Sequence, residues 1–199
     1  MSGRCYSRRA RPTRNILHVL LIICEGATEK NYFDNFNKRE WRSITIKTPE
    51  TNTTDPVGLI NYAISQKKYI NPDITWCVFD GNTHSQETIN KSIKKADQKI
   101  NIIISVPCFE IWFLLHFNHY ECCLNKDDTI ELLKKYIKNY KKPQNVYKLI
   151  SDKTEKAINR AIKLNDLHKN NGLSTYSINC NPSTQTFQII EYIYKLVNL

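Results

Sequence analysis

The sequence predicts an α/β fold: a mainly parallel sheet with helices on both faces. Two observations predict it. Short apolar runs alternate with helix-period stretches through residue 118, giving β-α-β-α-β-α-β-α. The runs ILHVLLIIC, ITWCVF and NIIIS are also apolar at nearly every position, as strands covered on both faces must be.

Each element follows from local signals. Ile16–Cys24 is the first strand. Glu25–Gly26 turns the chain, and Thr28 is the candidate N-cap of a helix to about Asn37, with Tyr32, Phe33 and Phe36 at helical spacing. Ser43–Lys47 alternates and reads as the second strand. Asp55 followed by Pro56 is a cap with proline at the first helical position, opening a helix to about Lys68 that buries Leu59, Ile60, Ala63 and Ile64. Asn71–Pro72 ends it, and Ile74–Phe79 is the third strand, closing on Asp80. Gln86–Lys99 is amphipathic, with Ile89, Ile93 and Ala96 on one face. Asn101–Ser105 is the fourth strand and Phe109–Phe117 an apolar helix, whose Phe109, Trp112 and Phe113 read as core rather than as a base-stacking platform. Lysine-rich helices then follow at about Thr129–Tyr140, Thr154–Lys169 and Thr184–Val197. The predicted organisation is a basic arm over residues 1–15 and one domain over 16–199, divided into an α/β core (16–118) and a C-terminal helical cap (119–199).

Composition narrows the class. Of 199 residues 41% are hydrophobic and 24% charged, which suits a buried core and not a disordered chain. No apolar run approaches the ~20 residues that cross a bilayer. Glycine and proline number 5 and 7, too few for a fibrous chain, and no internal repeat is visible. Net charge is +10, and the first fourteen residues hold Arg4, Arg8, Arg9, Arg11 and Arg14 without an acid. Such an arm attracts phosphate and releases counterions; its bland alternative is a solubilising extension. Seven scattered cysteines with no Cys-x-x-Cys pair suit a reduced, cytoplasmic protein. Arg8–Arg9 ahead of an apolar run and Cys24 imitates an export signal, but Ile23 is bulky where cleavage wants a small residue.

Chemistry in a parallel sheet gathers at the carboxyl ends of the strands. Strand one delivers Glu25 and Gly26; strand three delivers Asp80, Gly81 and Asn82; strand four leads to Cys108, Phe109 and Glu110. Acids from three strands at one edge can hold a hard divalent cation through oxygen. Alternatives are poorer. Cys24 to Lys30 lacks the arginine of a cysteine phosphatase, and the same stretch lacks the second glycine and the Ser/Thr of a phosphate loop. His116 and His119 are at a spacing that zinc could use but have no evident third ligand.

Four ordered motifs, CEGATEKNYF (24–33), WCVFDGN (76–82), PCFEIWFLLHF (107–117) and NPST (181–184), resemble those of the RloB family from Ile16 to the C-terminus. That family is similar to the TOPRIM domains of topoisomerases, primases and OLD-family nucleases. The resemblance implies a TOPRIM-like fold and a Mg²⁺- (or Mn²⁺-) dependent nuclease acting on RNA or DNA, in bacterial anti-phage defence of the abortive-infection or restriction-associated kind. It also suggests an ATPase partner and is compatible with a homo-oligomer, while the lack of a long apolar run predicts no membrane partner. Glu25 then matches the first acid, a general base and metal ligand; Asp80 matches the first aspartate of an Asp-x-Asp magnesium pair; Glu29 and Glu110 match further glutamates of the site. Asn82 stands where the second aspartate is expected, a ligand without charge, and Val106 stands where asparagine is usual. Arg8, Arg9, Arg11, Arg14 and Lys30 are the candidate nucleic-acid contacts. The competing reading is a catalytically degenerate module that binds nucleic acid or an ATPase without cleavage.

Overall fold

A single five-stranded sheet organises the chain, in the order β2-β1-β3-β4-β5. The structure, a computed structural model, describes residues 17–37 and 43–197; the arginine arm, with Arg8, Arg9, Arg11 and Arg14, lies outside them. The strands are β1 (His18–Cys24), β2 (Ile44–Lys47), β3 (Ile74–Asp80), β4 (Asn101–Val106) and β5 (Ser183–Thr184). The first four are mutually parallel, and β5 runs antiparallel to β4, with Ser105 opposite Thr184. The helices are α1 (Ala27–Phe33), α2 (Pro56–Ile70), α3 (Gln86–Ala96), α4 (Glu110–Leu115), α5 (Lys126–Lys134), α6 (Tyr147–Ile150), α7 (Thr154–Asn170) and α8 (Thr186–Val197).

The continuously apolar strands are covered on both sides, as their composition requires. Leu20, Ile22 and Cys24 of β1 join Trp76, Val78 and Ile103 in a core built with α1, α4, α7 and α8. Leu21 and Ile23 point the other way, joining Cys77, Phe79, Ile102 and Ile104 under α2 and α3. Full burial of such a side chain contributes about 1.5–3 kcal/mol, so the strand that feeds the site is anchored from both faces.

Local signals set most boundaries. Asp55 caps α2 by accepting from the Gly58 N–H at 2.8 Å, with Pro56 at the first helical position. Asn71 ends α2 in the left-handed conformation (φ 48°). Three expectations are corrected. The cap of α1 is Gly26 and not Thr28, because β1 runs to Cys24 and the helix begins at Ala27, after only two intervening residues. Ile64 of α2 is 38% exposed rather than buried. Helix α3 stops at Ala96, where Asp97 and Gln98 take positive φ, and not at Lys99. In the C-terminal part, α5 starts at Lys126 from an Asn125 cap, and the region also adds β5 to the sheet. Two residues are too few for strand alternation to show in a sequence.

Candidate active site

Strand β1 connects to β2 on one side of itself in the sheet and has β3 on the other, so the order reverses between β1 and β3. In open α/β sheets the crevice beyond the carboxyl ends at such a reversal is where ligands bind. Glu25 follows the last residue of β1 and Asp80 is the last of β3. They meet directly: the Asp80 N–H donates to Glu25 Oε2 at 3.0 Å. His84 Nε2 lies 3.3 Å from the same oxygen. Asp80 Oδ1 accepts from the Phe109 N–H at 2.8 Å, which ties the segment after β4 to the end of β3. The close approach of these ends requires glycine at 81, where a Cβ would lie 2.6 Å from Val106 Cγ2.

Two further acids lie behind this pair. Glu29, on the first turn of α1, folds back beneath Gly26, where a Cβ would come within 2.7 Å of Glu29 Oε2. Glu110 opens α4 with none of its surface exposed; Tyr140 OH donates to its Oε1 at 3.0 Å and Lys142 Nζ lies 2.6 Å from its Oε2. The segment of Lys142 is held in place by α1 and the 3-10 turn after it (Asp34–Asn37), since Asn31 Nδ2 donates to the Pro143 carbonyl and Asn35 Nδ2 to Asn145 Oδ1. Lys126 Nζ stands 3.9 Å from Asp80 Oδ2. Together Glu25, Glu29, Asp80, Thr54, Lys126 and Lys142 line a cleft of about 340 Å³.

The electrostatics follow from crowding like charges in a poorly solvated place. Burial, then Asp80, Glu110 and Glu25, pushes the Glu29 carboxyl from 4.5 up to about 8. Burial and Glu110 push Asp80 from 3.8 up to about 7, with Lys142 and Lys126 pulling the other way. Burial opposes the charge on Lys142, yet Glu110 outweighs it and raises its pKa. Four carboxylates facing two lysines leave excess negative charge, which protons or a cation must balance. The donor set suits Mg²⁺, a hard ion commonly held by one or two carboxylates and otherwise by water and phosphate oxygens. Among the described residues no group of three or more His, Cys, Asp or Glu side chains is placed to hold a metal ion, so a cation here would rest on one or two carboxylates.

The other sequence candidates separate clearly. Asn82 follows Asp80 by two residues but is exposed. Lys30 pairs with Asp34 at 2.8 Å and borders a second hollow with Glu25 and Glu50, away from Lys126 and Lys142. Cys24 is no nucleophile, since burial and then Glu29 raise its thiol pKa well above the ordinary value. His116 is buried against the Trp112 carbonyl and held neutral by burial, at about 4, while His119 faces Glu121; the pair forms no metal site. Phe109, Trp112 and Phe113 are core. Lys126, Lys142, Tyr140 and His84 were missed by the sequence reading. The lysines are lost in a lysine-rich region, and nothing local marks those that fold back onto acids.

Among the described residues no helix is long and apolar enough to cross a membrane. A family model described as "RloB-like protein" matches residues 20–193. Neither curated proteins nor solved structures yield a match.

Proposed function

Because the chain belongs to the RloB-like protein family, we propose that it is a metal-dependent nuclease of the TOPRIM type. Its substrates are RNA or DNA phosphodiesters, and its setting is bacterial anti-phage defence. The observation that carries this reading is the Glu25–Asp80 contact at the sheet reversal, backed by two more buried acids. Glu25 and Asp80 would hold Mg²⁺ or Mn²⁺, with Asn82 supplying a neutral oxygen if its loop turns inward. The ion supplies Lewis-acid polarisation of the phosphate and a lowered pKa for the attacking water. Glu25, oriented by the Asp80 N–H and His84, accepts the proton of that water. Lys126, half exposed at the cleft mouth, faces the incoming phosphate. The test is cleavage of RNA and DNA with Mg²⁺ or Mn²⁺ by wild type and Glu25→Ala. The expected result is a loss of about 10²-fold or more in the variant; equal rates refute the reading.

A second reading is favoured by Asn82: a module that binds nucleic acid or an ATPase without cutting. Asn82→Asp separates the two. In a weakened nuclease the added charge strengthens cation binding and raises cleavage, whereas in a degenerate module cleavage stays absent.

A further inference from the structure

Residues 132–151 contain Lys134, Lys135, Lys138, Lys141, Lys142 and Lys148 and not one acid. Some exposed lysines elsewhere sit on a neighbouring carboxylate, as Lys91 does on Glu87 and Lys99 on Asp97. Lys134 pairs with Glu131. Among the described residues Lys135, Lys138, Lys141 and Lys148 form no ion pair, and all four are exposed. The chain turns at Asn139 (φ 61°), which sets Lys134, Lys138 and Lys141 around one hollow of about 550 Å³.

This hollow is joined to the acid cleft by consecutive residues of one segment. Tyr140 lines the hollow and donates its hydroxyl to Glu110. Lys141 faces the hollow, while Lys142, the next residue, pairs with Glu110 and lines the cleft. Two unpaired cations, Lys138 and Lys141, therefore sit within a few residues of the side chains that meet the buried carboxylates. An acidic protein surface would meet the carboxylates as like charges, whereas a phosphodiester chain arriving with divalent cations would be welcome at both ends.

We propose that the hollow formed by Lys134, Lys138 and Lys141 binds the phosphodiester backbone of a nucleic acid and leads it into the acid cleft. The second half of this statement rests on the nuclease reading; the binding does not. The test uses the full chain and fluorescein-labelled RNA and DNA of about 20 nucleotides, with anisotropy read in EDTA over a range of salt. Lys138→Ala/Lys141→Ala is compared with Lys94→Ala/Lys95→Ala, exposed lysines on α3. Each phosphate contact adds about 0.7 to the slope of log affinity against log salt for a single strand. The first pair should lower that slope by ~1.4 and weaken binding about 25-fold near 0.1 M salt. The control pair should change neither. Equal slopes in both variants, or competition by polyglutamate as strong as by unlabelled RNA, overturn the proposal. Cleavage measured in parallel keeps the two ideas apart. Lysine-dependent binding with no Glu25-dependent cleavage removes only the nuclease reading; cleavage indifferent to Lys138 and Lys141 removes only the track.

Discussion

Replacing Glu29 by glutamine should make the protein more stable above neutral pH. Glu29 is 4% exposed and its carboxyl titrates at about 8 instead of 4.5, through burial and then Asp80. The folded state therefore binds a proton that the unfolded state has already released, and stability falls as pH rises between those values. At about 1.36 kcal/mol per pH unit the full rise corresponds to ~5 kcal/mol. Relaxation and water entry around the ionised carboxylate offset part of this, leaving ~2–4 kcal/mol. Glutamine keeps the shape of the neutral acid at every pH, so only the Asp80 contribution to the slope remains. Urea denaturation in EDTA at about pH 5, 6.5 and 8 reads the difference: the curves should coincide at the acid end and separate by that amount at the alkaline end. Mg²⁺ in ~100-fold excess over its dissociation constant should return ~2.7 kcal/mol to the wild type at about pH 8. Parallel pH profiles for the two proteins would refute the idea that the four acids share one field.

Two more outcomes follow from named contacts. Lys142→Met strands the Glu110 carboxylate without its cation and should cost ~3 kcal/mol in chemical denaturation; adding Glu110→Gln should recover most of it, and no recovery would mean that Lys142 acts through something else. Gly81→Ala drives a methyl into Val106 Cγ2 at 2.6 Å and should lower stability by ~1–3 kcal/mol, a loss visible in thermal unfolding.

The sequence alone determined the α/β class, the four parallel strands, the cap at Asp55, the helix end at Asn71–Pro72, and the arrival of Glu25 and Asp80 at strand ends. These rest on local rules: apolar runs, cap chemistry and the fixed direction of a parallel strand, all readable within a few residues. Tertiary structure alone decided the rest. It set β3 beside β1, so that residues 55 apart share a hydrogen bond. It chose Lys126 and Lys142 from a crowd of lysines, turned Asn82 outward and added β5 from the far end of the chain. A charge pair between distant segments leaves no periodic trace, because its energy depends on separation in space and on exclusion of water, and neither exists until the sheet has formed.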